Sequence, residues 1–202
     1  MPRASPLHRF NAAVQALQPI LTVPRFLESA RLAPFKHRGT DVNVVLDLMI
    51  HDIDLILSIV RSPVTAIDAI GTSVFSKEVD IANARLKFAN GCVANATASR
   101  VSMKTERRLR LFEDDAYVSV DLQQKVLTVI RKSGEMAADG VPPVDIKETT
   151  YEQGDALKAE IEAFLEAASG ARAPAVSGED GLKALHVALT ITEQVTRMLN
   201  AR

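Results

Sequence analysis

The chain has 202 residues, 47% of them hydrophobic, with 24 Lys and Arg against 25 Asp and Glu. That is enough length and apolar content for one large or two small globular domains. The formal net charge of -1 excludes the basic excess of a dedicated nucleic-acid binder, and a single cysteine, Cys92, excludes an internal disulfide framework or a cysteine zinc cluster.

The amino terminus, MPRASPLHRF, is charged but lacks the apolar core of a secretory signal, so a cytoplasmic location is expected. Within residues 1–40, Arg3, Arg9, Arg25, Arg31, Lys36 and Arg38 face only Glu28. This excess admits either an anionic ligand at this end or a solvated basic face. Residues 10–21 predict a short helix with Phe10, Val14 and Leu17 on one side and Pro19 disturbing its end. A strand is expected over 25–35. The strongest helical pattern covers 41–60, with Asp41 as N-cap and Pro63 just past the end.

From 64 to 131 the period drops to two and β-branched residues accumulate, which predicts a run of antiparallel strands. Asn90-Gly91 predicts a hairpin closed by a two-residue type I′ turn, with positive φ at both positions. In its second arm Cys92, Ala94, Ala96 and Ala98 share one smooth face, open to close approach by a helix or a second subunit. Residues 133–153, with Gly134, Gly140, Pro142 and Pro143, read as a loop or linker. Two helices follow. One carries a stripe of Leu157, Ile161, Phe164, Leu165 and Ala168 and stops at Gly170; the other carries Leu182, Leu185, Leu189 and Val195 and runs to about Leu199. The expected fold is α+β: a largely antiparallel open sheet of about five to seven strands with helices gathered on one face.

The segment VVLDLMIHDIDLILS, residues 44–58, interrupts an apolar run with three aspartates and a histidine. Such a density of ionisable groups excludes a membrane span. At 100° per residue Asn43, Asp47, His51, Asp54 and Ser58 fall within about 40° of one line, while Asp52 lies about 140° from Asp47 and is expected to face solvent or an end of the sheet. The i, i+4 spacing lets Asp47 approach His51, a suitable pair for general acid–base chemistry near neutral pH. The same spacing also fits a surface pair, a histidine satisfied in the core, or a metal site to which His37 adds a ligand. No GxGxxG, P-loop or GxSxG occurs, and Gly178 and Gly181 fall in a helix-capping segment. His186 reads as an ordinary helix residue and Cys92 as a small buried one.

The D-x-x-x-H-x-x-D pattern of Asp47, His51 and Asp54 resembles the C-terminal domain of the glucose-fructose oxidoreductase, inositol dehydrogenase and MocA family of NAD(P)-dependent oxidoreductases. DIANARLKFANGCVANATAS resembles that family's hairpin, RRLRLFEDDAYVSVDL its next strand pair, and SGEDGLKALHVALTI its closing helix. The likeness covers about residues 8–200 and implies a dihydrodipicolinate-reductase-like C-terminal domain. Family members place a dinucleotide-binding domain, with a glycine-rich turn and a Glu-Lys-Pro motif, before this region. HRFNAAVQALQPIL resembles the linker helix that follows it. The expectation is therefore a truncated, C-terminal piece: residues 1–22 as linker and 23–202 as substrate-binding and oligomerisation domain.

The resemblance implies hydride transfer between a sugar or nucleotide-sugar CH–OH group and NAD or NADP. His51 is then the acid/base or hydroxyl-positioning group, and Asp47 either orients it or hydrogen-bonds the substrate. Asp54, Lys36, Arg38 and Asn43 are the candidate substrate contacts, with the basic pair leading into a helix N-terminus that favours an anion. No cofactor is expected on these residues alone, and no turnover, because the family lysine is absent. Association into a dimer or tetramer through the open sheet face is expected. Two alternatives remain: a non-catalytic binding or dimerisation module, and a metal-dependent enzyme using Asp47, His51 and Asp54.

Overall fold

A computed structural model describes residues 6–36, 39–135, 140, 142–152 and 154–201. Eight strands form one sheet in the order β2-β3-β4-β1-β5-β6-β7-β8. They are β1 (Phe26–Leu32), β2 (Val64–Thr72), β3 (Ile81–Phe88), β4 (Val93–Ser99), β5 (Glu106–Phe112), β6 (Ala116–Asp121), β7 (Val126–Lys132) and β8 (Val144–Thr150). Neighbours are antiparallel except β1 and β4, which run parallel. Strict alternation makes the strands amphipathic: in β1, Leu27, Ser29 and Arg31 are buried while Phe26, Glu28, Ala30 and Leu32 are half-buried on the opposite face.

The helices are α1 (Ala12–Leu17), α2 (Ile50–Val60), α3 (Ala156–Ala168) and α4 (Gly178–Asn200). A wide π-type turn over Val45–Met49, closed by the Ile50 N–H donating to the Val45 carbonyl, leads into α2. This turn packs on the Cys92/Ala94/Ala96/Ala98 face of β4, all four residues being buried. The smooth face is therefore covered by this chain's own helix. Met49, Ile53, Leu55, Ile56, Leu86, Leu109, Leu111 and Ile191 form the centre of the core, and Ala13, Val14 and Leu17 of α1 join it from the amino-terminal side. Asn11 caps α1 and reaches the Leu122 carbonyl through its side-chain amide, pinning this segment to the end of β6.

Several expectations need correction. Asn43, not Asp41, caps the long helix, its Oδ1 accepting from the Leu46 N–H at 3.0 Å. Asp52 is buried rather than solvent-facing, because Arg31 reaches it from β1. The hairpin turn has positive φ at Gly91 but not at Asn90. The Gly91 N–H donates to the Phe88 carbonyl and the Cys92 carbonyl accepts from the Phe88 N–H, so three residues close the loop instead of two. Residues 144–150 form edge strand β8, not loop; it is exposed on both faces, so its sequence shows no apolar alternation. The leucines of both stripes and Phe164 point outward, with Leu157, Phe164 and Leu182 56%, 69% and 66% exposed; of the α4 stripe Val195 is buried as expected, beside Ala184, Val187, Ala188 and Ile191. None of the described helices is long and apolar enough to cross a membrane.

Candidate active site

The ends of β1 and β5, the segment Pro6–Phe10 and the start of α2 converge at one end of the sheet. Arg31, near the end of β1, points to the helix side and donates through Nε and Nη2 to both oxygens of Asp52 at 2.9 and 2.8 Å. Arg107, paired in register with Arg31, begins β5 and makes no ion pair among the described residues. His51, the residue before Asp52 on α2, is half-buried, with its ring centroid 5.0 Å from that of His8.

Burial, and then the Arg31 guanidinium, push the His51 imidazole below its ordinary pKa of 6.5, with Asp52, Asp47 and Asp54 pulling the other way. His8 is lowered further, to about 3, by burial first and then by Arg31, His51 and Arg107. Both rings are therefore neutral at pH 7, and His51 has three carboxylates near enough to stabilise a proton once one arrives.

Asp47 lies in the π-type turn, and among the described residues it makes no hydrogen bond to His51. It sits instead beside the loop after β1, where a Cβ added at Gly39 would make only ordinary contact at 3.5 Å from its Oδ2; the φ of +77° is what favours glycine there. Arg100 holds this loop: its Nη1 donates to the Gly39 carbonyl at 2.5 Å and its Nε to Asp80 Oδ1 at 2.8 Å. Asp80 in turn accepts from the backbone N–H groups of Val74, Phe75 and Ser76. Despite burial, hydrogen bonds from Ser76 and these amides hold its carboxyl well below the usual range.

The remaining sequence candidates scatter. Both Asp54 oxygens are taken by Arg9, at 2.8 and 2.6 Å. Asn43 is buried and serves as the helix cap. Lys36 is exposed on the loop after β1, and His37 and Arg38 lie outside the described residues. Among the described residues no group of three or more His, Cys, Asp and Glu side chains stands ready for a metal ion. A cleft of about 810 Å³ lies on the far side of the Arg9–Asp54 pair, lined by Ser58, Arg61, Asp180, Lys183 and His186, and it contains neither His51 nor Asp47. His8, Arg31 and Arg107 were not singled out for the site from sequence, since only strand register and the fold of the amino-terminal segment bring His8 and Arg31 to His51 and Arg107 to His8. The early basic excess is also explained in part: Arg9, Arg25 and Arg31 each pair with an aspartate from later in the chain.

Residues 25–119 match the family model described as the GFO/IDH/MocA C-terminal domain. Over 194 residues the sequence is 38% identical to UDP-N-acetylglucosamine 3-dehydrogenase of Acidithiobacillus ferrooxidans, covering 96% of this chain and 62% of that protein. A solved structure of that enzyme superposes with a TM-score of 0.86 at 37% identity, over 94% of this chain and 61% of the other. Levoglucosan dehydrogenase in complex with NADH and levoglucosan shares the fold, with a TM-score of 0.79 at 14% identity over 96% of this chain and 63% of that one. The chain thus spans 62% of the length of the curated relative it matches. Over residues 25–119 the chain carries a GFO/IDH/MocA C-terminal domain, and the likeness in sequence and fold to the dehydrogenase of Acidithiobacillus ferrooxidans agrees with that match.

Proposed function

We propose that this domain binds a nucleotide sugar of the UDP-N-acetylglucosamine type and positions one ring hydroxyl for oxidation by a nicotinamide dinucleotide. The observation that carries this reading is the 38% identity, over 96% of the chain, to an enzyme of that activity. The described residues do not fit the dinucleotide itself. Their sheet is largely antiparallel, and neither strand of the parallel pair β1/β4 passes through a glycine-rich turn into a helix. The cofactor, NAD or NADP, belongs to a domain outside these 202 residues, with 1–22 as the link to it. These residues by themselves are then without turnover.

Oxidising a CH–OH group removes a hydride and a proton, and the nicotinamide accepts the hydride when bound. In this reading His51 takes the hydroxyl proton. Its lowered pKa keeps it able to accept, and Asp47, Asp52 and Asp54 favour the imidazolium that forms. Asp47, beside Gly39, borders the sugar from the loop side. Lys36 and Arg38, with Arg107, supply positive charge for a diphosphate, while Asn43 and Asp54 hold the helix and the amino-terminal segment that frame the site. The open sheet face joins copies of the chain.

In a polypeptide that includes the dinucleotide domain, His51→Ala should lower kcat by about 10² to 10⁴ with folding preserved. Unchanged turnover would end the proton-transfer role. Calorimetric titration of the 202-residue chain with UDP-N-acetylglucosamine should give binding that N-acetylglucosamine alone does not match; equal affinities would remove the nucleotide from the reading.

A further inference from the structure

Consecutive residues His8 and Arg9 occupy the segment Pro6–Phe10, in the stretch that the sequence pattern marks only as linker. Arg9 forks onto both oxygens of Asp54 and reaches Asp180, at the start of α4, at 3.5 Å. A bidentate guanidinium–carboxylate contact fixes direction as well as distance. Asp54 lies three residues beyond His51, so the two share one side of α2. Gripping Asp54 with Arg9 therefore brings the preceding residue, His8, onto His51. The two rings meet edge to face, with centroids 5.0 Å apart and planes at 73°. Among the described residues neither imidazole is hydrogen-bonded, so the edge-to-face contact with His8 bears directly on the plane of the His51 ring.

The surroundings of the two rings differ. His8 faces the guanidinium groups of Arg31 on β1 and Arg107 on β5, and His51 on α2. His51 faces Arg31 together with the carboxylates of Asp47, Asp52 and Asp54. A proton entering the pair therefore settles on His51, and His8 remains a neutral wall.

We propose that His8 is a positioning residue for His51: clamped by the Arg9–Asp54 pair, its ring shields the His51 imidazole from water and sets the plane in which that imidazole meets a substrate hydroxyl. The substrate part rests on the function proposed above; the coupling of the two rings does not.

The test is histidine-selective NMR titration of the 202-residue chain, whose four histidines can be assigned by single substitutions. Wild-type His51 should titrate below 6.5 and His8 should stay neutral down to about pH 4. His8→Ala admits water and should raise the His51 midpoint by about half a pH unit or more. His8→Phe keeps a neutral ring in contact and should hold the midpoint near wild type. Arg9→Met removes the clamp and frees the Asp54 carboxylate, so both histidine midpoints should rise. If His8→Ala does not fold, His8→Phe and Arg9→Met carry the test. An unmoved His51 midpoint in folded His8→Ala or Arg9→Met, equal rises in the Ala and Phe variants, or a His8 that titrates near 6.5 would each overturn the proposal. Failure of UDP-N-acetylglucosamine to bind, with the His51 shifts as expected, would instead remove the substrate reading and leave the coupled pair.

Discussion

Arg31 and Asp52 meet with side-chain exposures of 4% and 3%. Removing one partner of such a pair leaves the other charge buried without compensation, which costs far more than the pair contributes. Asp52→Asn should therefore destabilise the protein by about 3 to 5 kcal/mol in urea unfolding. Arg25–Asp114 has a similar bidentate geometry but exposures of 65% and 75%, and Asp114→Ala should cost far less than Asp52→Asn, because solvent screens the exposed pair. Similar losses from the two variants would refute the assignment of Arg31–Asp52 as a buried pair. The sequence shows Asp52 only as an aspartate on the wrong side of a polar stripe. Its role depends on a residue 21 positions earlier, in another element. His51 is legible from helical spacing because its own helix presents it; His8, on a separate segment, is not.

At the scale of elements, the sequence locates the helices and most strands but misjudges two helix faces. Large leucines suggest a buried stripe on α4, yet its packed face is Ala184, Val187, Ala188, Ile191 and Val195, and the close approach to β2 is made possible by a glycine on the strand. A Cβ at Gly71 of β2 would stand 2.8 Å from Val195 Cγ1 of α4 and 2.9 Å from the Ile81 carbonyl oxygen. Gly71→Ala should cost about 1 to 3 kcal/mol through overpacking, read from the urea midpoint at constant m-value. A neutral result would mean that α4 can shift freely on the sheet. The π-type turn is a second element-scale feature. It displaces Asp47 from the i, i+4 relation to His51 that a uniform α-helix would give, and such turns recur at functional sites. β8 was missed because an exposed edge strand has no core face to impose alternation.

Across the whole molecule the open sheet face carries one apolar row. Val93, Phe26, Phe112, Tyr117, Ile130 and Ile146 are successive register partners from β4 to β8. The Phe26–Phe112 and Phe112–Tyr117 ring centroids are 5.6 and 5.3 Å apart. Such a row suits the proposed contact between copies. Ile130→Glu should weaken self-association at least tenfold, about 1.4 kcal/mol, by sedimentation velocity; a monomeric wild-type chain would refute the contact. Acid stability follows from the two histidines. Their folded pKa values lie below the unfolded value of 6.5, so below that pH the unfolded chain binds protons that the folded chain does not. Tm should fall as pH drops from 6.5 toward 3, and His8→Phe should flatten the slope. A slope unchanged by His8→Phe would mean that His8 is not held neutral in the folded state.

Periodicity and turn chemistry determined, from sequence alone, an α+β domain, its central antiparallel strands and a helix presenting His51, because these depend on residues within one or two turns or strands. Only the tertiary structure decided that Asp52 is buried, that Asp54 is held by Arg9, and that His8 and Arg31 gather round His51 with Arg107 facing His8. Those contacts join residues 20 to 99 positions apart, and their geometry is set by strand register and helix packing rather than by local pattern.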